Sequence, residues 1–362
     1  MDKILTDIAN IRLFSQQIEK TNFKTAKEIV GWMGAMQAQD DSMVKWAVGA
    51  RLPNSTDRAI ESAINNGEII RTHLLRPTWH LVSAEDICWI LELTAPQIKA
   101  ALKSRHKELE ISDIIVTKCN TVIRQALSDG KHLTRSELVA ELEKNRIMTN
   151  ENRASHLLLR AELDGIVCSG VIKGKNQTYA LLEERVPKTK PMSREIALAT
   201  LARRYFASHC PATLQDFIWW SGLSIGDARQ ALEMVKSDFI SKTIDSNIYW
   251  FTNFISSPNL DKEGVHLLPA FDEFIISYKD RSASLPFKNH NKAVFNNGIF
   301  RPIIVVNGQI VGIWKRTIKK EKVVVEAEFF EQPNKATIIQ IEKATVLYGC
   351  FLEKETELVY RL

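Results

Sequence analysis

The sequence predicts an α+β protein: tandem winged-helix units, each a helix-turn-helix followed by a β-hairpin, with a strand-rich α+β region after them. Three observations carry this expectation. Apolar residues recur at helical spacing through the N-terminal third, which holds only one pair of strand-like segments. The same order, helices and then two short β-type runs around a turn, recurs further along without any repetition of the sequence itself. From Gly264 onward strand signals dominate, and Asn307-Gly308 between alternating apolar residues is the strongest hairpin signal in the chain.

The first unit is placed at residues 1–118. Asn22-Phe-Lys-Thr25 reads as a cap, and residues 26–36 follow with apolar positions at helical spacing. A second helix begins at Ser55-Thr56 and ends at Asn65-Asn-Gly67. Residues 69–75 and 78–82 read as two short strands joined through Arg76-Pro77, and Ser83-Ala-Glu-Asp86 opens another helix with an acidic first turn.

The second unit is placed at 119–187. Thr134 caps a helix with Glu137 at its third position, 153–163 continues as an amphipathic helix, and residues 166–168 and 178–182 form the hairpin. The proline-bearing polar stretch 186–191 is a linker. The third unit, 192–255, begins with a helix over 193–206 and turns at Cys210-Pro211. Helices over 213–220 and 225–236 follow, and 240–251 supplies the hairpin. The C-terminal region, 256–362, has strands at 267–271, 303–314 and 323–330 and a closing helix over 334–352.

Composition bounds the function classes. A chain of 362 residues with 45% hydrophobic and 25% charged residues is ordinary for a soluble globular protein of several lobes. The excess of 48 Lys and Arg over 43 Asp and Glu, a net charge of +5, permits nucleic-acid binding without requiring it. Cys88, Cys119, Cys168, Cys210 and Cys350 are scattered with no CxxC pair, so no zinc or iron–sulfur spacing is present and reduced thiols are expected. The N-terminus lacks the basic flank and apolar core of a signal peptide, and no run is long enough to span a bilayer. A cytoplasmic protein with no membrane association, no metal and no cofactor is expected.

The feature that bears chemistry is Gln37-Ala38-Gln39-Asp40, placed at the end of the apolar helical segment from Trp32. A carboxamide is costly to bury unless its donors and acceptors are paired. Two glutamines around one small apolar residue therefore mark either a solvated helix end or a built polar site. Further segments bear on the choice. They are Arg76-Pro-Thr-Trp-His-Leu-Val-Ser-Ala-Glu-Asp86, Glu162-Leu-Asp-Gly-Ile-Val-Cys-Ser-Gly170, and the run from Ala207 through Trp219-Trp220 to Gly222. After them come Leu267-Leu-Pro-Ala-Phe-Asp-Glu-Phe274 with Tyr278 and Arg281, and Asn307-Gly-Gln-Ile-Val-Gly-Ile-Trp314. In this order, over nearly the whole chain, the segments resemble the AlkZ-like DNA glycosylases, a bacterial family of tandem winged helices.

The resemblance implies excision of cationic N7-alkylated purines from double-stranded DNA, in some relatives including interstrand crosslinks, by a monomer associated with the bacterial nucleoid. Gln37 and Gln39 match the two catalytic positions of the family's Gln-apolar-Gln motif. Some relatives have Asp in place of the second Gln. The chemistry is consistent with amides: an N7-alkylguanine already carries positive charge and leaves as a neutral base, so a positioned water and stabilisation of an oxocarbenium-like sugar suffice. Glutamine has no pKa suited to general base catalysis. Asp40 and His80 are candidates for catalytic support, with a solvated helix-end Asp and a hydrogen-bonded structural His as the alternatives. No lysine adjoins the two glutamines in sequence, which favours a monofunctional hydrolase over a Schiff-base lyase.

DNA contact is expected from Arg71, Thr72, His73, Arg76, Thr78 and His80 around the first hairpin, and from the basic run Lys315, Arg316, Lys319, Lys320 and Lys322, unless the latter is only a solvated strand. Trp219, Trp220 and Trp314 read as core rather than base-stacking wedges. Phe271-Asp272-Glu273 and Arg281 suit either a buried Asp–Arg pair holding the C-terminal region or a functional contact. A non-catalytic winged-helix regulator is the alternative function, since winged helices most often serve that role. A scaffold protein would leave the glutamine pair and the basic hairpins unexplained.

Overall fold

Residues 3–252, 264–295 and 297–361 are described by the computed structural model. Three times the chain builds one construction: a helix, a two-residue strand, further helices, then a hairpin whose second strand pairs antiparallel with the short strand. In the first, the short strand Met36–Gln37 pairs with Thr78–Ser83, which also pairs with Ile69–Leu74. In the second, Leu133–Thr134 joins the hairpin Val167–Ser169 and Thr178–Leu181. In the third, Ala212–Thr213 joins Ile240–Ile244 and Asn247–Phe251. The expected division at 255/256 lies outside the described residues.

Local chemistry sets the helix starts. Thr25 with Glu28, Thr134 with Glu137 and Thr213 with Asp216 form reciprocal capping boxes, each satisfying two backbone donors that a helix start leaves open. The Asn307-Gly308 turn, both residues at positive φ, joins Ile303–Val306 to Gln309–Ile318 as expected. These strands belong to a five-stranded sheet with Val265–Leu268, Lys322–Phe329 and Glu355–Arg361. The last strand was not anticipated. It runs parallel to Lys322–Phe329, reached through the closing helix Lys335–Leu352.

Three expectations are corrected. The helix carrying Trp32 ends at Met33, and Gln37 lies on a strand rather than a helix end. Gly34, at φ 78°, turns the chain in a way residues with a Cβ rarely adopt, and the backbone then finds a partner strand that helix propensity could not foresee. Ser83 closes a strand, and the next helix begins only at Ile87, without an acidic first turn. The Asp86 carboxylate instead accepts from Ser83 Oγ, Trp89 Nε1 and Arg204 Nη1. Finally, Asp272 pairs with Arg51, not Arg281, through two 2.8 Å contacts buried at 0% side-chain exposure.

Packing binds these parts together. Trp46, Trp314, Tyr348 and Phe351 form one apolar cluster that joins the first unit to the C-terminal sheet, with the two indole N–H groups donating to Leu267 O and Leu268 O. A second cluster joins Leu74 and Leu75 of the first hairpin to Tyr205, Phe217 and Trp220 of the third unit. Each fully buried side chain such as Phe217 contributes ~1.5–3 kcal/mol. Gly222, at φ 68°, sits so close to the hairpin turn that a Cβ there would stand 2.5 Å from Leu75 O. Only glycine allows the helix Leu214–Ser221 to press against the turn that carries Arg76.

Candidate active site

Gln37 lies where the first three-stranded sheet meets Glu273, which in turn bonds Trp220. Its strand is the edge of its sheet, so its N–H faces away from the ladder. A buried edge donor needs an acceptor, and Glu273 supplies one, Oε1 at 2.5 Å from Gln37 N. The other oxygen of Glu273 accepts from Trp220 Nε1 at 3.1 Å and from Ser277 Oγ, with His209 Nε2 3.6 Å away. Burial alone would raise the Glu273 pKa. The neighbouring imidazole, the Ser277 hydroxyl and the Gln37 N–H outweigh it and hold the carboxyl down to about 2.

The Gln37 side chain is 6% exposed, and its carbonyl oxygen accepts from Arg76 Nη2 at 2.9 Å. That bond orients the carboxamide: Oε1 toward the guanidinium, the NH2 group away from it. Arg76 Nε is buried without a partner. The ladder breaks one residue later. Ala38 N still donates to Trp79 O, but Ala38 O accepts from Arg71 Nε at 3.0 Å. The Trp79 N–H turns instead to Gln39 Oε1, a long 3.4 Å contact, and Gln39 is otherwise exposed.

Gln37, His80 and Thr72 stand directly opposite one another across the three strands and so share one face. The row continues to Glu162, whose Oε2 accepts from Thr72 Oγ1, His73 N and His73 Nδ1. His80 is wholly buried and donates from Nδ1 to Thr78 O, while Nε2 has no partner. Burial, with the Arg76 charge, pushes its pKa down to about 3, so the ring is neutral at ordinary pH and Nε2 is an acceptor. Thr78 is half-buried, its hydroxyl also unpartnered.

The remaining candidates are dispersed. Asp40 Oδ1 accepts from Ser42 N and Ser42 Oγ, a turn-capping arrangement. Arg316 donates to Ser42 O, which ties the basic hairpin to this loop. Lys315 and Lys319 are exposed on that hairpin, and Lys320 sits near its tip, 3.8 Å from Glu321. Trp220 and Trp314 are core, whereas Trp219 is half-buried and bonds Ile276 O. Sequence alone places Glu273 only within the Phe271-Asp-Glu motif and assigns it no role of its own; its signal is a carboxylate inside the apolar run from Leu267 to Ile276. Among the described residues no group of His, Cys, Asp or Glu is arranged to hold a metal ion, and no helix is long and apolar enough to cross a membrane.

Comparisons with known proteins agree on one family. A curated relative, the interstrand DNA cross-link repair glycosylase of Streptomyces sahachiroi, is 22% identical over 319 residues, 84% of this chain and 85% of the relative. The solved structure of the Streptomyces sahachiroi DNA glycosylase AlkZ superposes with a TM-score of 0.81 at 18% identity, covering 98% of this chain and 99% of that one. The model of the family described as DNA glycosylase AlkZ-like matches residues 30–351. The chain therefore belongs to the AlkZ-like DNA glycosylase family.

Proposed function

We propose that this DNA-repair enzyme hydrolyses the N-glycosidic bond of cationic N7-alkylated purines in double-stranded DNA, interstrand crosslinks included, and leaves an abasic site. The observation that carries this reading is the Gln37 carboxamide, held on its carbonyl by Arg76 and on its backbone by the ionised Glu273. A water adds its oxygen to C1′ as the C1′–N9 bond breaks. The bonding pair passes into the purine ring and neutralises the N7 cation, so the base leaves without protonation. The water's surplus proton is released to solvent through the polar groups around it.

In this reading Gln37 and Gln39 hold the water and face the positive charge that develops on the sugar. The exposed Gln39 can reach substrate, its only described bond being the weak one from Trp79 N. His80 Nε2 and the free oxygen of Asp40 support them as acceptors, not as acids. Arg71, Arg76, Thr78, Lys315, Arg316, Lys319 and Lys320 contact the DNA backbone. The reaction is monofunctional hydrolysis, no lysine adjoining either glutamine in sequence. The three repeated constructions serve as winged-helix units over 1–118, 119–187 and 192–255, ahead of the α+β region 256–362. The enzyme works as a cytoplasmic, nucleoid-associated monomer.

The test is single-turnover excision of N7-methylguanine from a duplex oligonucleotide by wild type, Gln37→Ala and Gln39→Ala. Abasic product from wild type, lost in both variants with DNA affinity retained, is the expected result. Tight, salt-sensitive binding with no excision of N7-methylguanine or of a crosslink would instead identify a DNA-binding regulator.

A further inference from the structure

Arg76, which orients Gln37, also belongs to a cluster whose other members, Lys279 and Arg281, have no part in the chemistry above. Around the half-buried indole of Trp219 stand three cations: Lys279 Nζ at 5.0 Å from the ring centroid, Arg281 Cζ at 5.4 Å and Arg76 Cζ at 5.5 Å. The indole ring attracts each of them, and its own N–H is anchored on Ile276 O. Arg281 is further fixed by Nε donating to Ile275 O and by lying 5.0 Å from the Phe300 ring centroid.

None of the three has an ion-pair partner among the described residues. The carboxylates that act on Arg281 are hydrogen-bonded elsewhere: Asp216 accepts from Lys279 N and Thr213 and lies 4.0 Å from Arg12, while Asp280 accepts from Ser282 N. Burial first, and then the neighbouring Arg76 charge, lower the Arg281 pKa to about 10, against the weaker pull of Asp216 and Asp280.

We propose that Arg76, Lys279 and Arg281 on the face of Trp219 form a binding subsite for one DNA phosphodiester beside the lesion nucleotide. This rests on the glycosylase reading and deepens it. A phosphodiester presents two non-bridging oxygens that share one negative charge, which suits two guanidinium groups and an ammonium gathered around one ring. Arg76 is shared: it also holds the Gln37 carbonyl, with the ionised Glu273 as a nearby opposite charge, so a phosphate bound here would rest on the guanidinium that orients the carboxamide.

The experiment measures the salt dependence of duplex DNA affinity for wild type, Lys279→Gln, Arg281→Gln and Lys279→Arg, with thermal melting of each as a folding control. Each lost phosphate contact lowers the slope of log K against log[salt] by about 0.9. Lys279 is exposed, so its Gln variant folds whatever becomes of the Arg281 variant. The expected result is a reduced slope in both Gln variants and a wild-type slope in Lys279→Arg. In a duplex with scattered single methylphosphonates, one position beside the lesion should weaken wild type about tenfold and weaken Lys279→Gln less, since that variant has already lost one contact to the same phosphate. Wild-type excision with slopes unchanged in the Gln variants overturns the subsite and leaves the glycosylase reading standing. Absence of salt-dependent DNA binding by wild type removes both. Stabilisation of melting by inorganic phosphate, with DNA slopes unchanged, assigns the cluster to free phosphate and also overturns the proposal.

Discussion

Replacing Glu273 by Gln removes one charge from the centre of the molecule and keeps the shape. The wild-type carboxylate accepts from Gln37 N, Trp220 Nε1 and Ser277 Oγ, and it is 2% exposed. A carboxamide can accept on one side only, so its NH2 group must confront a donor now served by Oε2. Hydrogen bonds to a charged group are worth ~1.5–3 kcal/mol each, and one lost with its donor left buried costs ~2–4 kcal/mol in all. The pH dependence isolates the charge. The Glu273 pKa falls from an ordinary 4.5 to about 2 on folding. The ionised form is favoured by the fold, so the stabilisation is complete above pH 4.5 and is lost as pH drops from there toward 2. At pH 3 that loss amounts to about 2 kcal/mol relative to pH 7, at ~1.36 kcal/mol per pH unit. Urea unfolding of wild type and Glu273→Gln between pH 7 and pH 3 reads the difference directly. The gap between them should hold steady down to about pH 5 and then close by that amount. A gap that stays constant to pH 3 would refute the argument that an ionised Glu273 anchors Gln37.

Two further outcomes follow from the site. Arg76→Gln releases the Gln37 carbonyl from a charge-assisted bond, and loss of ~1.5–3 kcal/mol of positioning should slow single-turnover excision ~10–100-fold. A rate within twofold of wild type would show that the carboxamide orientation does not matter. His80, held near a pKa of about 3 by burial, should show no titration in histidine NMR spectra between pH 5 and 8; its neutral form contributes stability that is full above pH 6.5 and is lost as pH falls toward 3, and a resonance titrating near 6.5 would mean that the ring is solvated.

Much of this protein is decided within a few residues along the chain, and that part was legible without coordinates. Thr25 with Glu28 and Thr134 with Glu137 satisfy donors three residues away, so the helix starts they mark do not depend on what packs nearby. Asn307-Gly308 sets its hairpin by backbone preference alone. Enough of the apolar and motif pattern survives to identify the family, because it recurs in order over residues 30–351. What tertiary structure decided is everything that joins Gln37 to its surroundings. Propensity extended the helix of Trp32 into the glutamine motif; pairing with Thr78–Ser83 ended it and left Gln37 on a sheet edge. The acceptor for that edge amide, Glu273, lies 236 residues away, and nothing in its own segment distinguishes it from a structural carboxylate. Asp272 turned to Arg51 rather than Arg281 for the same reason. Burial forbids an unpaired charge or amide, but it is the folded packing that selects which distant partner satisfies it.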